Sequence, residues 1–184
     1  KKGRDGTTIE MPQECESRLN PPEAVNDPET EAADAGGDVA GADAELRERL
    51  LANDRLKLLR PCQKTDITSG AAKETLIRLM VAVVENAQIN LPITAFKCDH
   101  DPGTLHERGL AIDIGYFAGS AEGNELYKFL YANRTKFKID ELIFNPPAPG
   151  TQCVGGGKTV NCVGYYGSDT MAAHGNHIHV GTFP

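Results

Sequence analysis

The sequence predicts an α+β domain built on a mostly antiparallel sheet with flanking helices. Three observations lead there. Leucine- and valine-rich stretches with helical spacing occupy the chain from Asp43 to about Gln88. Short alternating runs suited to strands follow: ITAFKC (93–98), LAIDIGYF (110–117), ELIFN (141–145) and HIHVGTF (177–183). No regular strand–helix–strand repeat joins them, which argues against a doubly wound parallel sheet.

Each segment has its own reason. Residues 22–45 hold eight acids and no Lys or Arg, with Ala, Gly and Pro in place of aromatic residues. Such a composition buries too little apolar surface to offset the entropy of ordering it. Residues 1–44 therefore read as an acidic tail or linker and 45–184 as the domain. In AELRERLLANDRLKLL (44–59) leucines punctuate a charged stretch, predicting a helix that stops at Pro61. DITS (66–69) offers caps for a second helix over Gly70–Gln88, with Leu76, Leu79, Met80, Val83 and Val84 on one stripe. Leu126, Phe129 and Leu130 predict a third helix from Ser120 to about Phe137. Pro146 to about Asp169 is a long Pro- and Gly-rich loop of the kind that often forms a lid.

Composition narrows the function. The chain has 184 residues and a formal charge of −7. That balance excludes a strongly basic nucleic-acid binder, and removing the eight acids of residues 22–45 from the −7 leaves the remainder at +1, so the acidity belongs to that segment. No apolar run approaches the roughly 18–20 residues of an integral membrane segment. The chain opens on Lys1, as a processed or excised piece would, and no signal-peptide pattern stands there. Cys15, Cys62, Cys98, Cys153 and Cys162 include no CxxC pair. Cys153 and Cys162 flank VGGGKTVN, a Gly-tipped hairpin or loop that a disulfide would close, and Cys62–Cys98 is the matching second pair. The alternative is five free thiols.

All five histidines fall in two short windows, His100 and His106, then His174, His177 and His179. On a strand, His177 and His179 project from one face while Ile178 and Val180 point to the core. Asp113 lies opposite the apolar face formed by Leu110, Ile112 and Ile114. A carboxylate in an aliphatic strand needs a cation, a donor network or a metal, because burying it alone costs several kcal/mol. Paired strands would gather His106, Asp113 and one or both of His177 and His179. Two imidazoles and a carboxylate suit Zn²⁺ with a fourth position left to solvent, ahead of iron or manganese.

At these residues the sequence resembles a known group. His106-Glu-Arg-Gly109-Leu-Ala111-Ile-Asp113 is similar to the HxxGxAxD signature of D-Ala-D-Ala carboxypeptidases and peptidoglycan L,D-peptidases, with Thr104 where those families usually carry Ser. His177-Ile-His179-Val resembles their HxH element, shared with lysostaphin-type peptidases and the zinc domain of hedgehog proteins. His174-Gly-Asn-His177-Ile-His179-Val resembles the ending of penicillin-insensitive murein endopeptidases, as does Asp113-Ile-Gly-Tyr-Phe. The likeness covers about residues 60–184.

Carried over by position, the resemblance implies zinc on His106, Asp113 and His179, with His177 handling protons and His174 supporting it. It implies hydrolysis of peptide stems or cross-links in bacterial peptidoglycan, outside the cytoplasm, by a cell-wall, secreted or phage-associated protein. Tyr165, Tyr166 and Arg108 are candidate oxyanion donors. Asn176 departs from the carboxypeptidase branch, which has Glu there, and Gly103 from the endopeptidase branch, which has His; His100 is a possible substitute. Asn176 also supports a second reading, a non-catalytic zinc domain that binds the wall or a protein partner.

Overall fold

Short strand-forming segments, most of them rich in Ile, Leu and Val, build one seven-stranded sheet. The computed structural model describes residues 39–99 and 102–184, with side chains from Asp43 onward. The expectations for residues 1–38, for Cys15 and for His100 lie outside the described residues. The strands are β1 (Leu56–Leu58), β2 (Leu91–Ala95), β3 (Ala111–Ile114), β4 (Ile139–Ile143), β5 (Cys153–Gly155), β6 (Lys158–Val160) and β7 (Ile178–Thr182). Their order is β1-β2-β3-β7-β4-β5-β6. Among the described residues only β1–β2 is parallel, and every other pair is antiparallel. The mixed α+β architecture on a mostly antiparallel sheet is as the sequence predicts.

The helices are α1 (Val39–Ala52), α2 (Pro61–Thr68), α3 (Glu74–Val81), α4 (Ala121–Ala132), α5 (Cys162–Tyr166) and α6 (Ser168–Ala173). Several differ from the sequence reading, α4 among them, which ends at Ala132 instead of about Phe137. Helix α1 already runs through residues 39–44, where Ala40, Ala42 and Ala44 favour helix. It ends at Ala52, because the Asn53 side chain accepts a hydrogen bond from the Arg55 backbone N–H and turns the chain. Leu56 and Leu58 then join the sheet beside β2 instead of extending the helix.

Pro61, read as a stop, opens α2 at the first helical position, where its missing N–H costs nothing. Asp66, read as a cap, is buried within α2, and its carboxylate accepts from the Cys98 backbone N–H at 2.9 Å. The apolar stripe from Leu76 to Val84 is helical as expected, but it starts at Glu74 and continues past Val81 as a π-helical turn, Ala82–Ala87. Ser120 caps α4 through its hydroxyl, accepting from the Gly123 N–H.

The core combines Ile77, Met80 and Val83 with Ile93, Ile112, Ile178, Val180, Leu142 and Phe144. Burying each such side chain contributes roughly 1.5–3 kcal/mol. A smaller cluster of Ile143, Cys153, Cys162 and Met171 lies under the Pro- and Gly-rich stretch. That stretch is the β5–β6 hairpin followed by two short helices, and the Cys153–Cys162 disulfide closes it. The second disulfide joins Cys62 on α2 to Cys98. Among the described residues no helix is long and apolar enough to cross a membrane.

Candidate metal centre

Two central strands bring the histidine windows together. In the β3–β7 ladder Asp113 is opposite His179, Ile112 opposite Val180 and Ile114 opposite Ile178. The alternation therefore packs Ile and Val into the core on one face and gathers Asp113 and His179 on the other. His106 enters from the turn before β3. That turn is held by Gly109, whose N–H donates to the His106 carbonyl at 2.8 Å. Gly109 has φ +71°, and a Cβ there would sit 1.9 Å from the Ala71 carbonyl oxygen, so only glycine closes this turn.

Three donor atoms converge. His106 Nε2 lies 3.1 Å from His179 Nδ1 and 3.3 Å from Asp113 Oδ1, and His179 Nδ1 lies 2.9 Å from Asp113 Oδ1. All three residues are buried, at 3%, 8% and 7% exposure for His106, His179 and Asp113. A tetrahedral ion with bonds of 2.0–2.1 Å separates its ligand atoms by about 3.3 Å. The triangle thus has nearly the dimensions of one face of a zinc tetrahedron, and its two imidazoles and one carboxylate are a zinc-type donor set. The other cluster of this kind among the described residues, Cys62, Cys98 and Asp99, has its sulfurs tied in a disulfide and the Asp99 carboxylate engaged by Arg60 and Gln63.

Electrostatics tie the triangle together. Burial would push the Asp113 carboxyl up, but hydrogen bonds to His106 and His179 outweigh it and hold the group well below the usual carboxylate range. Burial would lower His179, yet Asp113 and Glu141 outweigh it and raise the imidazole to about 9.

Glu141, on β4, was not singled out in the sequence. Its Oε2 sits 3.1 Å from His179 Nε2. It accepts the proton on that nitrogen and leaves Nδ1 aimed at His106 and Asp113, the arrangement by which an outer carboxylate orients a ligating histidine. Its hydrogen bond to His179 holds the Glu141 carboxyl below its ordinary range. The sequence signal was slight: an acid inside a short apolar strand, as at Asp113.

His177 and His174 border the same cleft, of about 590 Å³, together with Arg108, Tyr166 and Thr170. His177 Nε2 is 3.8 Å from Asp113 Oδ2, and its Nδ1 lies 2.8 Å from the Asn176 side-chain oxygen. An amide oxygen only accepts, so Nδ1 carries the proton and Nε2 is the acceptor. His174 Nδ1 donates to the Thr170 carbonyl at 2.6 Å, and its ring centroid lies 4.6 Å from that of His177. Burial lowers both imidazoles, which favours their neutral form.

The oxyanion candidates separate. The Tyr166 hydroxyl borders the cleft but donates to the Val154 carbonyl, which commits it. Tyr165 is outside the cleft lining and packs over Gly155, where a Cβ would meet its ring at 2.4 Å. Arg108 and Gly103 do line the cleft. Compared with protein-family models, with curated proteins and with solved structures, the chain matches none.

Proposed function

We propose that this chain is a zinc peptidase that hydrolyses amide bonds in the peptides of bacterial peptidoglycan and acts outside the cytoplasm. The observation that carries this reading is the triangle of His106 Nε2, Asp113 Oδ1 and His179 Nδ1, with His177 and His174 bordering the same cleft. The motif resemblance at 106–113 and 174–180 supplies the substrate class. Two disulfides support an oxidising compartment.

His106, Asp113 and His179 would hold the metal. Zinc in such a site supplies a Lewis acid that polarises an amide carbonyl and lowers the pKa of water. Asn176 fixes His177 with Nδ1 protonated, which leaves Nε2 to receive a proton. That nitrogen accepts the proton released as water adds to the carbonyl carbon, and returns it to the amine nitrogen as the C–N bond breaks. His174, fixed by Thr170, packs against the His177 ring and holds it over Asp113. The Asn176–His177 contact supports an imidazole-based arrangement at the position where the carboxypeptidase branch has Glu.

The test is turnover on purified peptidoglycan by the zinc-loaded chain, with products read by mass spectrometry. Muropeptide fragments are expected, and His177→Ala should abolish them while one zinc per chain is retained. Zinc without fragments, on walls of several chemotypes, would replace this reading with that of a zinc domain that binds without cutting.

A further inference from the structure

We propose that Arg47, on α1, is a positioning residue of the metal centre: it fixes the backbone on which the His106 turn rests, and through that backbone the place of the His106 imidazole. This rests on the metal-centre reading above and adds a residue outside both the triangle and the cleft lining.

The three donors are not held alike. Asp113 and His179 face each other across the β3–β7 ladder, so the sheet places them. His106 stands on a turn outside any strand. Within the turn, the Gly109 N–H donates to the His106 carbonyl and the Leu110 N–H to the Leu105 carbonyl at 2.9 Å. Beneath it lie residues 71–73. Gly109 abuts the Ala71 carbonyl too closely for any Cβ, and its own carbonyl accepts from the Lys73 N–H at 2.8 Å. Leu105 also packs over Gly181, and Lys97 donates to the Glu107 carbonyl. The first of these is an apolar contact and the second a long flexible side chain, so the rigid support is the backbone at 71–73.

Arg47 holds that support. Residues 69–73 join α2 to α3 and belong to neither. Ala72 is tied twice: its N–H donates to the Asp66 carbonyl at 2.8 Å, and its carbonyl accepts from Arg47 Nη2 at 2.9 Å. Arg47 Nη1 donates at 2.7 Å to the carbonyl of Ile67, in the last turn of α2. One planar guanidinium thus bridges the end of α2 and the connection beyond it, and its rigid fork sets the spacing of the two carbonyls. Asp43, one helical turn back, aims the fork: its Oδ2 accepts from Arg47 Nε at 2.9 Å.

Burial argues that these bonds matter. Arg47 is only 7% exposed, beside the fully buried Leu50. Burying a guanidinium is costly, and the cost is offset here by bonds to carbonyls that would otherwise go unpaired. An aliphatic side chain would pack at this position without that cost but would hold Ala72 in no particular direction. Ligands of a metal need placement to about 0.5 Å, which directional bonds supply and apolar contact does not. In the sequence, Arg47 is one charge among those of AELRERLL (44–51), with nothing to separate it from a solvated face.

Action through His106 is separable from a general loss of stability by a double-mutant cycle in zinc affinity. Zinc dissociation constants of the full chain are measured by chelator competition for the unaltered protein, Arg47→Met, Arg47→Lys, His106→Ala and the His106→Ala/Arg47→Met double variant. Arg47→Met keeps a long stem without donors and should weaken zinc binding by about 10–100-fold, the range for groups that orient a ligand. Arg47→Lys lacks the fork that spans both carbonyls and should fall between Arg47→Met and the unaltered chain. With His106 removed, Arg47→Met should change the remaining affinity by less than about two-fold. In the metal-free chain, the ring NMR signals of His106 should shift and broaden in Arg47→Met, while those of His174, at the end of α6, stay in place. Leu130→Ala, a core truncation on α4, should lower stability and leave zinc affinity unchanged.

A loss below about two-fold in both Arg47 variants, an equal loss with and without His106, or the same loss in Leu130→Ala overturns the proposal. If Arg47→Met does not fold, Arg47→Lys takes its place in the cycle and decides by the same outcomes. Zinc bound equally by the unaltered chain and the Arg47 variants would sink this inference alone. No zinc on the unaltered chain would sink the metal-centre reading, and the His106 ring signals of the metal-free protein would still decide whether Arg47 places that side chain.

Discussion

Asp113 and His179 are cross-strand partners on β3 and β7, and their side chains meet at 2.9 Å between Oδ1 and Nδ1. Directly opposed positions in an antiparallel ladder hold their Cβ atoms about 5 Å apart, so the ladder itself sets this pair before any ion is bound. His106 completes the triangle from a glycine-locked turn.

Removing the carboxylate is therefore expected to do two things. Asp113→Ala should lower zinc from one per chain to none by elemental analysis. It should also destabilise the metal-free protein by about 3 kcal/mol in urea unfolding, because it leaves buried imidazoles without their partner.

Glu141 gives a subtler outcome. It touches His179 on the nitrogen that faces away from the triangle, so its effect on metal is through orientation. Glu141→Ala is expected to weaken zinc affinity by about 10–100-fold in chelator competition. Glu141→Gln should restore most of it, since the amide oxygen still accepts from Nε2–H. Equal loss in both variants would mean that the charge of Glu141, not its acceptor, is what matters.

The pH dependence follows from His179. Its folded value of about 9 lies above the roughly 6.5 of an unfolded chain. The stability this gives the metal-free protein is fully present below about 6.5 and is lost as pH rises through about 9. Burial lowers His174 and His177, so they take effect only below about 6.5 and leave the upper window to His179. Thermal melts of the metal-free chain should thus fall between pH 6.5 and 9. Apparent zinc affinity should rise over the same window, because binding displaces that proton. A melt that is flat across it would contradict the His179 assignment.

The disulfides differ in the loops they close. Cys153–Cys162 spans 9 residues and Cys62–Cys98 spans 36. On loop-closure entropy, opening the first should cost about 3 kcal/mol and the second about 4. Urea unfolding of the Cys→Ser pairs measures each, and mass mapping without reduction should find both bridges.

Much of the centre was legible because strand periodicity is local. Alternation placed Asp113 opposite the apolar face of its strand and His177 and His179 on one face of theirs, and the Gly-tipped run between Cys153 and Cys162 read as a hairpin or loop. The boundaries around Asn53, Pro61 and Asp66 were not legible. Leucine spacing over 46–59 fits helix as well as helix–turn–strand, and the choice was made by a place beside β2, some 35 residues downstream.

By itself, then, the sequence singled out His106, Asp113, His177 and His179 and the strand face on which Asp113, His177 and His179 lie, since a period of two is fixed by the backbone. Tertiary structure alone decided the β3–β7 register that sets Asp113 against His179, the approach of Glu141 from β4, and the commitment of Tyr166 to Val154. Those are contacts between residues far apart in the chain. Their geometry depends on how whole strands pack, which no local spacing encodes.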